Sequence, residues 1–257
     1  MQSCGSVEVS HGKIRVRQDL KKVEYRKEYF LPKAIKEFRK ARKFPVWKWY
    51  EYKVPSSNNK YVIFFWADNS SCREKPRSDF FVDIFFDRQR FVVKWGAGGY
   101  RHTPNSPMML IRQIHAYTSH FLHRYNERFL KDESLSTNDI ACCYLSRNDI
   151  AMPIEINESI NKNIEEYGEG AKQGFRVRDG VCFTRTGLEG QFHSDKSRDK
   201  DKADAMVIVY ITFMSEYKMT EEQRIATQKE HWEKWSESFI DFMKEAKDGI
   251  LSLKLEP

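Results

Sequence analysis

Four runs rich in aromatic and β-branched residues lie between residues 46 and 95, and they commit this part of the chain to a sheet. Val46 to Val54 is bracketed by Pro45 and Pro55. At a period of two, one face carries Trp47, Trp49, Glu51 and Lys53 and the other Val46, Lys48, Tyr50, Tyr52 and Val54. Neither face is cleanly apolar, so the strand reading rests on aromatic content. Tyr61 to Trp66 is continuously apolar and aromatic. Phe80 to Phe86 and Arg90 to Trp95, separated by Asp87-Arg88-Gln89, read as a hairpin. Gly96-Ala97-Gly98-Gly99 lacks the Lys-Ser or Lys-Thr that follows a phosphate-binding loop, and reads as a flexible link ending the block.

The flanking segments read as helices and further strands. Residues 1–28 are polar and basic, with Val7, Val9 and Val16, and suggest a short hairpin or an unstructured arm. Tyr29 to Lys43 has helical spacing, with Phe30, Leu31, Ile35 and Phe38 inward. Its Lys33, Lys36, Arg39, Lys40, Arg42 and Lys43 suit a polyanion or simply water. Met108 to Tyr117 reads as a strand or as the front of a long helix, with a boundary at Thr118-Ser119, where Ser119 serves as N-cap. Ser136-Thr137-Asn138-Asp139 caps a helix through Ile140 and Leu145. Phe175-Arg176-Val177-Arg178 and Val181-Cys182-Phe183-Thr184 flank Asp179-Gly180, a two-residue turn signal. Met206 to Met214 is a strand. Gly190 to Asp204 is a charged loop. Thr220-Glu221-Glu222-Gln223 opens a long C-terminal helix to about Lys247. The expected fold is α+β, with helices packed on mainly antiparallel sheets and a long C-terminal helix. It divides into residues 1–100, a basic helix with aromatic strands, and residues 101–257.

Composition narrows the partners. The 257 residues include 44 basic and 37 acidic side chains, a formal charge of +7, which favours RNA or another polyanion. Cys4, Cys72, Cys142, Cys143 and Cys182 have no regular spacing and read as reduced thiols of a cytoplasmic protein. No apolar run precedes Cys4, and no run of 18 apolar residues occurs, so neither a secretory signal nor a membrane span is expected. Gly-x-Ser-x-Gly is absent, and no cofactor is implied. Oligomeric state is not encoded in any motif.

The densest functional signal is Thr118 to Phe129. His120, Arg124 and Arg128 fall at i, i+4 and i+8, one stripe of a helix. Imidazole and guanidinium in a row suit phosphate. At a helix N-terminus His120 is held neutral and can take a proton from a ribose hydroxyl. In that reading His120 and Glu127 are catalytic, Arg124 and Arg128 hold phosphate, and Glu127 orients one of them. Two other readings stand beside it. The stripe can be the surface of a non-enzymatic module that meets nucleic acid or an acidic protein. Alternatively His120, His123 and Glu127 can hold zinc for a hydrolase, although this is not His-Glu-x-x-His.

The order of elements from this helix onward resembles the small prokaryotic toxins of the RelE and BrnT type. Ser119 to Leu130 and Ser136 to Leu145 correspond to helices. Phe175 to Arg178, Val181 to Thr184 and Met206 to Phe213 correspond to strands, all within residues 108–215. The resemblance implies a cytoplasmic, metal-independent ribonuclease acting on messenger RNA, with Arg176 and Arg178 as strand arginines that contact it. The aromatic N-terminal half and the C-terminal helix have no counterpart in those toxins.

Overall fold

The computed structural model describes residues 6–86, 88–100, 109–154, 173–189 and 205–221. Among them the first half supplies β1 (Val46–Lys53), β2 (Lys60–Ala67), β3 (Arg77–Phe86), β4 (Gln89–Tyr100) and β5 (Met109–Thr118). The second half supplies β6 (Met152–Ile154), β7 (Gln173–Val177), β8 (Gly180–Glu189) and β9 (Ala205–Ser215). All nine join one sheet in the order β1-β2-β3-β4-β5-β9-β8-β7-β6. Every neighbouring pair is antiparallel except β5 and β9, which run parallel. The described helices are α1 (Ser6–Lys40), α2 (Ser119–Tyr125) and α3 (Thr137–Arg147). The expectation of helices packed on mainly antiparallel sheets is therefore corrected to one large mixed sheet with more strand than helix.

The glycine run explains much of that correction. Gly96 to Gly99 do not end the strand block; they lie inside β4 and pair with Gln113 to Leu110 of β5. A Cβ on Gly96 would stand 2.9 Å from His115 Nε2, and one on Gly98 2.1 Å from Gln113 Nε2. Glycine is needed there because side chains of β5 lie across the β4 backbone. With β4 and β5 paired through Tyr100 and Met109, the sheet continues into the second half.

Helices cover both faces, which is why β2 reads as an unbroken apolar run. On one face Val23, Ala34 and Phe38 of α1 meet Tyr61, Ile63, Phe65, Val82, Val93 and Ala116. On the other, Phe121, Leu122 and Tyr125 of α2 and Ile140 and Tyr144 of α3 meet Val62, Phe64, Phe81, Val92, Tyr117 and Tyr210. The two mixed faces of β1 are resolved in the same way. Trp47 Nε1 donates to Ser146 Oγ (2.6 Å) and Trp49 Nε1 to Asp139 Oδ1 (2.6 Å), while Tyr50 stacks on Phe30 at 4.5 Å.

α1 is longer than its apolar spacing suggests and includes most of the segment read as a hairpin or arm. Part of that extension is fixed from outside. Buried Asp19 accepts hydrogen bonds from Ser57 Oγ (2.6 Å), Asn59 Nδ2 (2.9 Å) and Tyr61 Oη (3.2 Å), which ties it to the β1–β2 turn. The N-cap of α2 is Thr118, one residue before the expected Ser119. Thr118 Oγ1 accepts from the Phe121 N–H (3.0 Å), and Ser119 Oγ donates instead to the Arg90 carbonyl (3.1 Å). α3 starts as its sequence indicates, with a capping box of Ser136 and Asp139. The helix expected from Thr220 to about Lys247 lies beyond Glu221 outside the described residues, as does the loop from Gly190 to Asp204.

The β7–β8 hairpin forms, but its turn is Arg178-Asp179, because Val177 pairs with Gly180. Two contacts impose this shift. Asp179 is buried and accepts from Tyr125 Oη (2.7 Å), Arg147 Nε (2.8 Å) and Nη2 (2.7 Å), and Asn148 Nδ2 (2.9 Å). A Cβ at Gly180 would lie 2.2 Å from the Met214 carbonyl oxygen, so only glycine fits the strand beside β9. Asp179 thus joins the hairpin to α2 and α3. Replacing it with Ala strands the Arg147 guanidinium and a buried phenol. The expected loss is about 3–5 kcal/mol of unfolding free energy, measured by urea denaturation.

Candidate functional site

The α2 stripe exists, but two of its members have structural duties. Asn126–Leu130 continue α2 as a π-turn that ends on Lys131 in a left-handed conformation. π-turns of this kind often re-aim side chains. Arg124 Nη1 pairs with Glu127 at 2.7 Å. Arg128 Nη1 donates to the Phe213 carbonyl of β9 at 2.5 Å. His120 is exposed in the first turn. Its pKa is lowered by partial burial first, then by Arg124, His123 and Arg128, against a smaller opposing effect of Glu127. His120, Arg124, Glu127 and Arg128 are thus near neighbours, with a neutral imidazole among cations. His123 and Glu127 are exposed too, but among the described residues no three His, Cys, Asp or Glu side chains converge as a metal-ligand set.

A second constellation lies on the same face of the sheet, at residues that sequence reasoning did not single out. Lys94 of β4 and His115 of β5 are cross-strand partners. Lys94 Nζ pairs with Asp79 of β3, both side chains partly exposed, and Asp79 Oδ1 accepts the Phe80 N–H at 2.8 Å. His115 Nδ1 lies 2.9 Å from Tyr210 Oη of β9, and Nε2 faces Gly96. Burial, helped by Lys94, pulls the His115 pKa down to about 4, so the ring is neutral near pH 7.

Burial is the main reason that both Tyr117 and Tyr210 are pushed above the ordinary phenol range. The two rings stack with their centres 4.3 Å apart. In the 2.9 Å contact between His115 Nδ1 and Tyr210 Oη either group can donate, according to the imidazole tautomer.

Other candidates settle into the core. Burial pushes the Cys143 and Cys182 thiols up to about 12 and Cys142 well above its ordinary value, so none is a thiolate near pH 7. Arg176 is 1% exposed and its Nη2 meets Glu216 at 2.8 Å, whereas Arg178 sits exposed in the hairpin turn. Only the second can contact a ligand from the surface. No protein family, curated protein or solved structure matches this chain.

Nothing in the local sequence marks His115, which shares its strand with apolar neighbours. The Lys94, Asp79 and Tyr210 around it come from three other strands.

The depressed His115 pKa couples to stability. The unfolded chain takes up the proton near 6.5 and the folded chain only near 4. Stability is therefore fully present above the unfolded value and falls as pH drops from 6.5 towards 4. His115→Gln should flatten the pH dependence of unfolding in this window, read from denaturant midpoints. An NMR titration should place the wild-type ring near 4. A ring titrating near 6.5 would show that burial does not act on it as described.

Proposed function

We propose that the chain is an RNA-interacting protein whose contact surface is the outer side of α1. The observation that carries this reading is a pair of exposed tyrosines within a row of cations. Tyr25 is 70% and Tyr29 51% exposed. One helical turn apart, they stand roughly 6 Å along the axis from each other. Lys21, Lys22, Lys33, Lys36 and Lys40 are exposed on the same side of the helix, opposite Val23, Ala34 and Phe38. Lys33 Nζ lies 4.3 Å from the centre of the Tyr29 ring and donates to its hydroxyl at 3.1 Å. Aromatic platforms bordered by lysines suit single-stranded nucleic acid, because bases stack while ammonium groups follow the phosphates.

A second reading has its own support. His120, kept neutral beside Arg124 and Arg128, suits a metal-independent endoribonuclease in which His120 takes the ribose proton. Arg124, oriented by Glu127, and Arg128 would meet the phosphate. A cytoplasmic, prokaryotic, toxin-like setting belongs to this reading through the resemblance to RelE and BrnT domains.

Fluorescence anisotropy with labelled single-stranded RNA tests the first reading. Tyr25→Ala and Tyr29→Ala should each cost about 1–3 kcal/mol of affinity. Replacing Lys21, Lys33 and Lys36 with Gln should make the salt dependence shallower, by about 0.7 in log–log slope per lost contact. Unchanged affinity in both sets rejects the α1 surface. For the second reading, cleavage of the same RNA should persist in EDTA and fall roughly 10²–10⁴-fold in His120→Ala. An intact product profile in that variant rejects His120 as the base.

A further inference from the structure

The outer edge of β1 is open. β1 ends the sheet and pairs with β2, and among the described residues the backbone of residues 46–53 makes no hydrogen bond on its other side. Sheet edges are commonly blunted by proline, a bulge or a very short strand. β1 has none of these, because its eight residues pair with Lys60–Ala67 without a register shift. It is also held from both faces. Trp47 and Trp49 are tied to α3, Tyr50 stacks on Phe30, and Arg26 Cζ of α1 lies 5.1 Å from the centre of the Tyr52 ring. A row of N–H and C=O groups is thus presented on a strand that needs little ordering to receive a partner.

We propose that the β1 edge binds an extended peptide as an additional strand, and that this peptide alternates acidic with apolar residues. Side chains of paired strands share a face residue by residue, so the two faces of β1 set the two positions of the alternation. On the α1 face Lys48 is exposed, its Nζ 5.9 Å from the centre of the Tyr50 ring, and Arg26 stands over Tyr52. These cations meet carboxylates. On the α3 face Trp47 and Trp49 are half-buried, and exposed Glu51 is already paired with Lys60 at 2.6 Å. The indoles favour apolar side chains there, and Glu51 repels a further carboxylate. Lys53 shares this face but stands at the last position of the strand. Backbone hydrogen bonds supply the affinity and the alternation supplies the specificity. A second copy of β1 fits less well. The two-fold axis of an antiparallel edge-to-edge pair keeps each face on its own side, so it would set cations beside cations.

Fluorescence anisotropy and amide hydrogen exchange on the full chain provide the test. The probe is a labelled peptide of β1 length that alternates Val and Glu. A peptide alternating Val and Lys, and one of the first composition rearranged as Val-Val-Glu-Glu, should each bind at least about tenfold more weakly, through reversed or misplaced charge contacts. N-methylation of one alternate set of peptide amides should abolish binding, and methylation of the other set should be tolerated. Alternate amides of Val46–Lys53 should exchange freely in the unbound chain and gain protection with the peptide. Lys48→Glu should weaken the Val/Glu peptide and strengthen the Val/Lys peptide. Equal affinity for the three peptides, binding that survives both methylation patterns, or β1 amides already protected in the free chain each overturns the proposal. A dimer in sedimentation with protected β1 amides assigns the edge to a second copy and overturns it as well. Tyr25→Ala should leave peptide affinity unchanged, and a loss there places the peptide on the outer side of α1 instead, against the proposal.

Discussion

The parallel contact between β5 and β9 is the joint on which the described architecture depends. It pairs Gln113–Tyr117 with Met206–Tyr210 and unites two antiparallel stretches, β1 to β5 and β6 to β9, into one sheet. Parallel partners cannot be linked by a tight turn, so the chain must leave the sheet and return. That excursion begins where β5 turns into α2, and it includes α3 and β6 to β8. Aromatic packing reinforces the joint: Tyr117 stacks on Tyr210 at 4.3 Å, with Phe121 and Tyr144 set edge-on at 5.4 and 5.3 Å. Where β5 stops, β9 still presents carbonyl groups on that side. Thr118 Oγ1 donates to the Tyr210 carbonyl at 3.0 Å and Arg128 to that of Phe213. One arginine of the α2 stripe therefore substitutes for a missing strand. Its place in the sequence pattern has a structural cause.

Local chemistry was legible wherever a residue acts on its own neighbours. The Ser136–Asp139 capping box, the strand content of residues 46–95 and the β7–β8 hairpin could all be read from short windows. Readings failed where distant residues decide. The turn of the hairpin moved by one position because the Asp179 carboxylate is claimed by Tyr125, Arg147 and Asn148. Gly96 to Gly99 look like a linker in isolation. They are strand because His115 and Gln113 need the room above two of them. α1 extends past its apolar spacing, with Asp19 held by a turn in residues 57–59 and by Tyr61. The single mixed sheet was illegible for the same reason: the β5–β9 pairing has no local signature.

The candidate sites divide along the same line. His120, Arg124, Glu127 and Arg128 belong to one short helix, so spacing alone groups them, and the Arg124–Glu127 pair follows that spacing. What spacing could not reveal is the attachment of Arg128 to β9. The constellation around His115 draws on β3, β4, β5 and β9, and register alone brings Asp79, Lys94 and Tyr210 to the imidazole. A histidine in a strand carries no signal until its neighbours are known.

The position of that constellation follows from how far the described helices reach. α2 has seven residues, about 10 Å of helix, and its aromatic side chains pack on the layer of Tyr117 and Tyr210. The next residues on the same face lie about 6.7 Å further along each strand. There the sheet presents Lys94 and His115, with Asp79 alongside, in place of the aromatic residues under α2. An ammonium group and a carboxylate keep partial contact with water at that distance, while the imidazole leans back towards the phenol of the covered layer. His115 thus stands at the boundary between core and solvent. One ring nitrogen meets the phenol of Tyr210, which belongs to the aromatic packing at the β5–β9 joint, and the other faces the backbone at Gly96.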